Sequence, residues 1–371
     1  MQVPVCKNPL NKLNRPEFLR IIRPVRALVP CLVVLAIAGC QTRPKSPPAL
    51  ATIEVKDDVH VATPEPLPLP AAETGAWPTN WANAWIPLEN WAQLNALGKP
   101  ALVPANPHPM YVFSTPHGTL AVKTGSRIGQ YGGLEYWLGF APQIVNGLPY
   151  IQSVDARKTL QPLIDSANYR APSGVIVIDP GHGGSDSGTR SATAAVEKHY
   201  TLDWAVRLRP LLEARGWKVI LTRSSDMDVS LLDRVTIAEK AGAALFLSLH
   251  FNSGGPNREL AGIETYCLTP TGMPSHLVRE YEDDLRQSFP NNAYDEENLM
   301  LAVRLHRSLL RQTGAPDRGL RRARFMGVLR GQNRPAVLIE AGYLSNPQEA
   351  RKIGTGEYRQ LLAEAVAKGL D

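Results

Sequence analysis

Residues 172–371 constrain the fold most, because there short apolar runs alternate with stretches of helical period. GVIVIDP, WKVILTR, ALFLSLH, IETYCL and PAVLIEAG are rich in branched aliphatic residues over the length of a strand. Between them, EKHYTLDWAVRLRPLLEARG, LLDRVTIAEKAG, ENLMLAVRLHRSLLRQTG and a final segment over Tyr358–Gly369 repeat their apolar residues three and four apart. Gly216 and Gly242 stand where the first two of these helices would stop. Wholly apolar strands need cover on both faces, and alternating helices supply it. The expected fold is α/β, a mostly parallel sheet flanked by helices. In such sheets ligands bind beyond the carboxyl ends of the strands.

Three segments precede this domain. In residues 1–39 a basic stretch (Lys7, Lys12, Arg15, Arg20, Arg23, Arg26) leads into an apolar run from Ala27 to Ala38. That run is too short to span a bilayer and fits the core of a signal peptide. It ends in IAGC, with small residues before Cys40, which resembles the lipobox of bacterial lipoproteins. The resemblance implies export, a lipid on Cys40 and a membrane as partner. Gln41 is not the aspartate that retains many such proteins at the inner membrane, so the periplasmic face of the outer membrane is favoured. The formal charge of +6 belongs mostly to the leader: six of 40 basic and one of 34 acidic residues lie there, leaving 34 against 33. A near-neutral mature chain argues against nucleic acid as a partner.

Residues 40–80 are rich in Pro, Ala and Thr, with PEPLPLP at 64–70, and read as an extended tether. Residues 81–165 read as a small α+β accessory domain. A short amphipathic helix is expected over Trp85–Leu97, then strands at MYVFST, GTLAVKT, EYWLGF and LPYIQS. The pattern W-x-P-L-x-x-W with a later A-P-x-x-x-N-G-x-x-Y resembles the N-terminal domain of copper amine oxidases. His108 and His117 stand alone and read as solvated loop residues. Trp81, Trp85, Trp91 and Trp137 suit either core packing or stacking on sugars. Cys267, the one cysteine past the leader and Cys40, has no partner for a disulfide and sits in a strand, where a buried inert thiol is expected.

The chemistry gathers where strands give way to turns. His182 follows VIVID, His250 leaves ALFLSL, and Glu340 ends PAVLIE. A carboxylate closing a buried strand is costly unless paired or functional. Glu197 opens a helix, where the dipole alone favours an acidic residue. If these converge, two imidazoles and one carboxylate make the ligand set of a hydrolytic zinc site with a position open for water. Glu340 is then placed as general base, and Asp179, just before His182, as the acceptor for the ring's other nitrogen.

In order and context these residues resemble the zinc-dependent N-acetylmuramoyl-L-alanine amidases. DPGHGGSDSG (Asp179–Gly188), Glu197–Lys198, Thr222–Arg223 with Asp226, Leu231 with Arg234, SLHFN (Ser248–Asn252), Asp317–Gly319, Val328–Arg330 and PAVLIEAGYLSN (Pro335–Asn346) carry the match over nearly all of 172–371. The resemblance implies one Zn2+ per chain on His182, Glu197 and His250, catalysis by Glu340, and peptidoglycan as substrate. Arg318, Arg321, Arg322, Arg324 and Arg330 cluster before the last strand. Guanidinium groups bind carboxylates in pairs of hydrogen bonds, and stem peptides carry carboxylates. Asn252, Arg318 and Arg330 are therefore candidate substrate contacts. Extra residues between Cys267 and Leu299 include an acidic stretch and read as a solvated surface loop, with a shield over the active site left as the open alternative. Two other readings stand beside the amidase: a zinc carboxypeptidase acting on stem peptides, and a wall-binding lipoprotein with a dead catalytic domain.

Overall fold

The computed structural model describes residues 84–191, 194–277 and 283–371. The leader, Cys40, the tether and Trp81 lie outside the described residues. The N-terminal part runs β1 (Trp85–Pro87), α1 (Leu88–Leu94), β2 (Ala101–Val103), β3 (Met110–Thr115), β4 (Gly118–Lys123), β5 (Ile128–Tyr131), β6 (Leu134–Trp137), β7 (Gln143–Val145) and β8 (Leu148–Gln152). Helices α2 (Ser153–Asp155) and α3 (Gln161–Asp165) flank a π turn over Ala156–Leu160. There follow β9 (Val175–Pro180), α4 (Glu197–Glu213), β10 (Lys218–Leu221), α5 (Leu231–Lys240), β11 (Leu245–Asn252), β12 (Ile263–Cys267) and α6 (Asp295–Thr313). The chain closes with β13 (Asp317–Arg322), α7 (Gly327–Arg330), β14 (Ala336–Tyr343), α8 (Pro347–Ile353) and α9 (Gly356–Gly369).

The expected strands and helices of 172–371 all form, and Gly216 and Gly242 follow α4 and α5 at positive φ. Ser230 and Thr355 accept backbone N–H groups at the starts of α5 and α9, and Gly314 adopts a left-handed conformation after α6. β10, β9, β11 and β14 pair in parallel; β12 runs antiparallel to β14 and parallel to β13. One face of the sheet packs Ile176, Leu247, Val337 and Ile339 in a core with Trp204, Leu208, Leu301 and Val366 of α4, α6 and α9. The other packs Val177, Phe246 and Leu338 in a core with Ala238 of α5 and Leu329 of α7. Asp179, His250, Glu264 and Glu340 follow the alternation of this second face, at the carboxyl ends of β9, β11 and β14 and in β12.

β13 was not among the expected strands, and it joins the two halves of the molecule. Its Leu320 pairs with Tyr136 of β6, so the antiparallel meander β6-β5-β4-β3-β2 extends the central sheet to eleven strands. β1, β8 and β7 form a separate three-stranded sheet. The expected helix over Trp85–Leu97 starts only at Leu88, because Trp85–Pro87 pairs with β8. Trp85, Trp91 and Trp137 are buried core residues, while His108 and His117 are exposed. Cys267 is a buried free thiol whose pKa burial pushes up to about 12.

Three of the clustered arginines are not available to a substrate. Arg321 is buried with its guanidinium 4.2 Å from the centre of the Trp137 ring. Buried Arg322 donates to the carbonyl of Lys158, and buried Arg324 donates to the carbonyls of Pro270 and Met273 and pairs with Asp283. One flank of the stretch after Cys267 is packed, while Asp284, Arg286, Gln287 and Ser288 on the other side are exposed. Ser275, His276 and Leu277 are buried, and Asp283 accepts from the Ser275 backbone at 2.7 Å. The packed flank is docked on β13 and against Arg127 of the N-terminal part.

Candidate metal centre

His182, Glu197 and His250 converge. His250 Nδ1 lies 3.0 Å from Glu197 Oε1 and 3.2 Å from His182 Nε2, and His182 Nε2 lies 3.1 Å from Glu197 Oε2. One ligand atom from each lies within 4.8 Å of the others, so the group can hold a metal ion. A tetrahedral site with bonds of ~2.0–2.1 Å has edges of about 3.3 Å, close to the spacing seen here. Two nitrogens and a carboxylate oxygen are donors suited to such an ion.

Each side chain is held by different means. Glu197 accepts the N–H of Thr189 on one oxygen and that of Phe251 on the other, both at 2.9 Å. The N–H groups of Glu197 and Lys198 at the start of α4 find the carbonyls of Thr189 and Ser187, so the loop 187–189 caps the helix and fixes the carboxylate. A Cβ on Gly188 would stand 2.6 Å from both Glu197 Oε2 and the His182 ring, which leaves glycine as the residue that fits. His182 itself has φ of 62°, an unfavourable conformation for a non-glycine residue.

The brace behind His182 differs from the expectation in one respect. Asp179 does not meet the His182 ring: its oxygens accept from Thr222 at 2.6 Å, Arg234 at 2.5 Å and Ser248 at 2.8 Å. Fully buried, it is held by Thr222 just past β10, by Arg234 of α5 and by Ser248 of β11. The ring nitrogen Nδ1 of His182 instead faces Asp186 Oδ2 at 2.8 Å. Arg234 passes the hold of Asp179 on to the backbone, donating to the carbonyl of His182 at 2.8 Å. Arg223 donates to the carbonyls of Pro180, Gly181 and Lys198, and Asp226 binds the Gly184 N–H and the Lys198 ammonium. Thr222, Arg223, Asp226 and Arg234 thus build the turn that presents the imidazole.

Burial works against a charged ring at His182, but Glu197 and Asp186 outweigh it and push its pKa up to about 10. Burial alone would raise the Glu197 carboxyl; the two imidazoles outweigh it and hold it well below the usual carboxylate range. A bound cation would take over the role of that ring proton.

Glu340 stands directly across from His250 in the β11–β14 pair. Residues in register share a face, so its carboxylate is on the side of the metal group. Its other neighbour in register is Glu264 of β12, which the sequence reading passed over although a charge inside IETYCL was a signal. Glu264 is buried and accepts from Asn252, Tyr266, Tyr343 and Arg318. Asn252 and Arg318 are therefore grouped beside Glu340. Arg330, at the end of α7, is not tied to Glu264; its guanidinium lies 5.1 Å from the centre of the Phe289 ring.

A family model described as N-acetylmuramoyl-L-alanine amidase matches residues 176–371, which contain His182, Glu197 and His250 as well as Glu340. N-acetylmuramoyl-L-alanine amidase AmiA of Escherichia coli (strain K12) is 33% identical over 217 residues, covering 53% of this chain and 74% of that protein. The sporulation-specific N-acetylmuramoyl-L-alanine amidase of Bacillus subtilis (strain 168) is 35% identical over 198 residues, covering 53% and 66%. Among solved structures, the catalytic domain of CwlV from Bacillus (Paenibacillus) polymyxa var. colistinus is 31% identical with a TM-score of 0.44, covering 53% of this chain and 96% of that one.

Proposed function

This chain belongs to the N-acetylmuramoyl-L-alanine amidase family, and we propose that His182, Glu197 and His250 hold one zinc ion while Glu340 is its catalytic base. The protein is a peptidoglycan amidase, hydrolysing the amide between N-acetylmuramic acid and L-alanine. The observation that carries the residue assignment is the triangle of two imidazoles and a carboxylate with a further carboxylate in register beside it.

The chemistry supplied by zinc when bound is Lewis acidity, which polarises an amide carbonyl and lowers the pKa of water from ~15.7 to about 7. Three protein ligands leave a coordination position open, so a fourth carboxylate serves better as base than as ligand. Glu340 takes a proton from the attacking water and delivers it to the departing alanine nitrogen. Asp186 holds the His182 ring with Nε2 turned inward. Asn252 and Arg318, both tied to Glu264, are the proposed substrate contacts; Arg330 is a third, from the end of α7.

The enzyme works in the cell envelope. Cys40 is the proposed lipid attachment site, residues 40–80 the tether, and the outer membrane the anchor; residues 81–165 are read as the accessory domain on the strength of their sequence pattern. Cys40→Ala should move the protein from the membrane to the soluble fraction, and unchanged dependence on detergent would discard the lipobox. The catalytic reading is tested by mass analysis of peptidoglycan digests. Free stem peptides beginning with L-alanine should appear without a chelator and vanish with one. Loss of only the terminal stem residue would point to a carboxypeptidase instead.

A further inference from the structure

We propose that Arg318 is the receptor for a free carboxylate on the second residue of the peptide being released, aimed by two β-bulges and held by Glu264 and Tyr343. This rests on the amidase reading above. Between β12 and β13 the register passes from Ile263↔Asp317 to Thr265↔Leu320, so Arg318 and Gly319 together oppose Glu264. Between β11 and β14 it passes from His250↔Glu340 to Asn252↔Tyr343, which inserts one residue before Tyr343. A bulge re-aims the side chains around it. The first depends on Gly319, at φ of 91°, where a Cβ would stand 3.0 Å from Glu135 Oε1 and 3.1 Å from the Trp137 ring.

The two bulges bring Arg318 and Tyr343 to one carboxylate. Arg318 Nε lies 3.0 Å from both Glu264 Oε1 and Tyr343 Oη, and the Tyr343 hydroxyl donates to Glu264 at 2.9 Å. The guanidinium carbon is 5.2 Å from the centre of the Tyr343 ring. Arg321 pairs with Glu264 as well, at 3.5 Å, so the Arg318 charge is not its sole partner. Arg318 is anchored through Nε alone. Among the described residues, no protein hydrogen bond is made by its terminal nitrogens, and its side chain is 22% exposed. Arg322 and Arg324, a few residues on, direct their terminal nitrogens at protein groups. An arginine stacked and tethered at one end, with its two-pronged end open, is built to take a carboxylate.

The position matches the substrate. β12 lies beside β14 and β13 beside β12, so Arg318 is two strand spacings, about 10 Å, from the column of Glu340. An extended peptide covers ~3.3–3.6 Å per residue. The first residue past the scissile amide is alanine, which offers no charge. The second carries a carboxylate that can bridge the remaining distance.

The test uses two synthetic muramyl peptides, identical except that the second residue's carboxyl is free in one and amidated in the other. The full-length zinc-loaded enzyme should cleave the free form with a kcat/KM about tenfold to a hundredfold higher, the range of hydrogen bonds between charged groups. In Arg318→Gln that ratio should collapse toward one, and Arg318→Lys, a point charge without the fork, should fall between. Tyr343→Phe, a smaller change, should lower the ratio too, and serves if the arginine variants do not fold. A wild-type ratio near one, or an unchanged ratio in Arg318→Gln, overturns the proposal. Failure of the wild type to release alanyl peptide from either compound would overturn the amidase reading instead.

Discussion

Removing the Asp186 carboxylate should weaken the metal site without touching a proposed ligand. The carboxylate accepts from His182 Nδ1 at 2.8 Å through one oxygen and from the Gly188 N–H at 3.0 Å through the other. It therefore fixes both the tautomer of the ring and the turn whose glycine lies against Glu197. Loss of such an outer partner typically costs 10–100-fold in metal affinity. The Asp186 side chain is 65% exposed, so solvent screens its charge and places the expected loss in Asp186→Ala near the lower end, about tenfold. Asp186→Asn keeps an acceptor oxygen and should recover part of it. The assay is zinc affinity by competition with a chromophoric chelator, with activity against added zinc as a second readout. Asp179→Asn, by contrast, should lower thermal stability first, because Asp179 is buried among Thr222, Arg234 and Ser248. Unaltered zinc affinity in Asp186→Ala would refute the argument that this carboxylate orients the ring.

Two further tests separate roles within the site and between the halves of the sheet. Glu340→Gln should keep zinc and fold while losing about 10²–10⁴-fold in rate, whereas Glu197→Gln should lose zinc first; zinc content by mass spectrometry beside turnover decides, and the opposite pattern exchanges the two roles. Asp317 accepts from the Glu135 N–H and faces His306, both at 2.8 Å, across the β6–β13 seam. Burial opposes its charge, but His306 and the backbone N–H donors outweigh this and lower its pKa. The depressed carboxyl adds stability above its unfolded pKa of ~3.9, lost as pH falls through the lower folded value. Asp317→Asn should thus cost about 1–3 kcal/mol in unfolding at pH 7, and that cost should shrink below pH ~4; a cost independent of pH would reject the charge argument.

Local pattern alone determined much of this protein. The apolar runs and helical repeats of 172–371 specify their elements because period and burial are properties of neighbouring residues. His182, His250 and Glu340 were legible because each interrupts an apolar strand at the end where an α/β sheet opens to ligand. What tertiary structure decided depends on partners far away in sequence. DRGLRR looks like a solvated basic patch, yet it forms β13. Arg322 at its end and Arg324 just beyond it are buried because the carbonyls of Lys158, Pro270 and Met273 receive them. Asp179 and Asp186 are both near His182 in sequence. Only the packing of Thr222, Arg234 and Ser248 around Asp179 leaves the ring to Asp186. Register is likewise absent from any single strand. The two bulges that bring Arg318 and Tyr343 to Glu264 arise between paired strands, so their geometry exists only once the sheet has assembled.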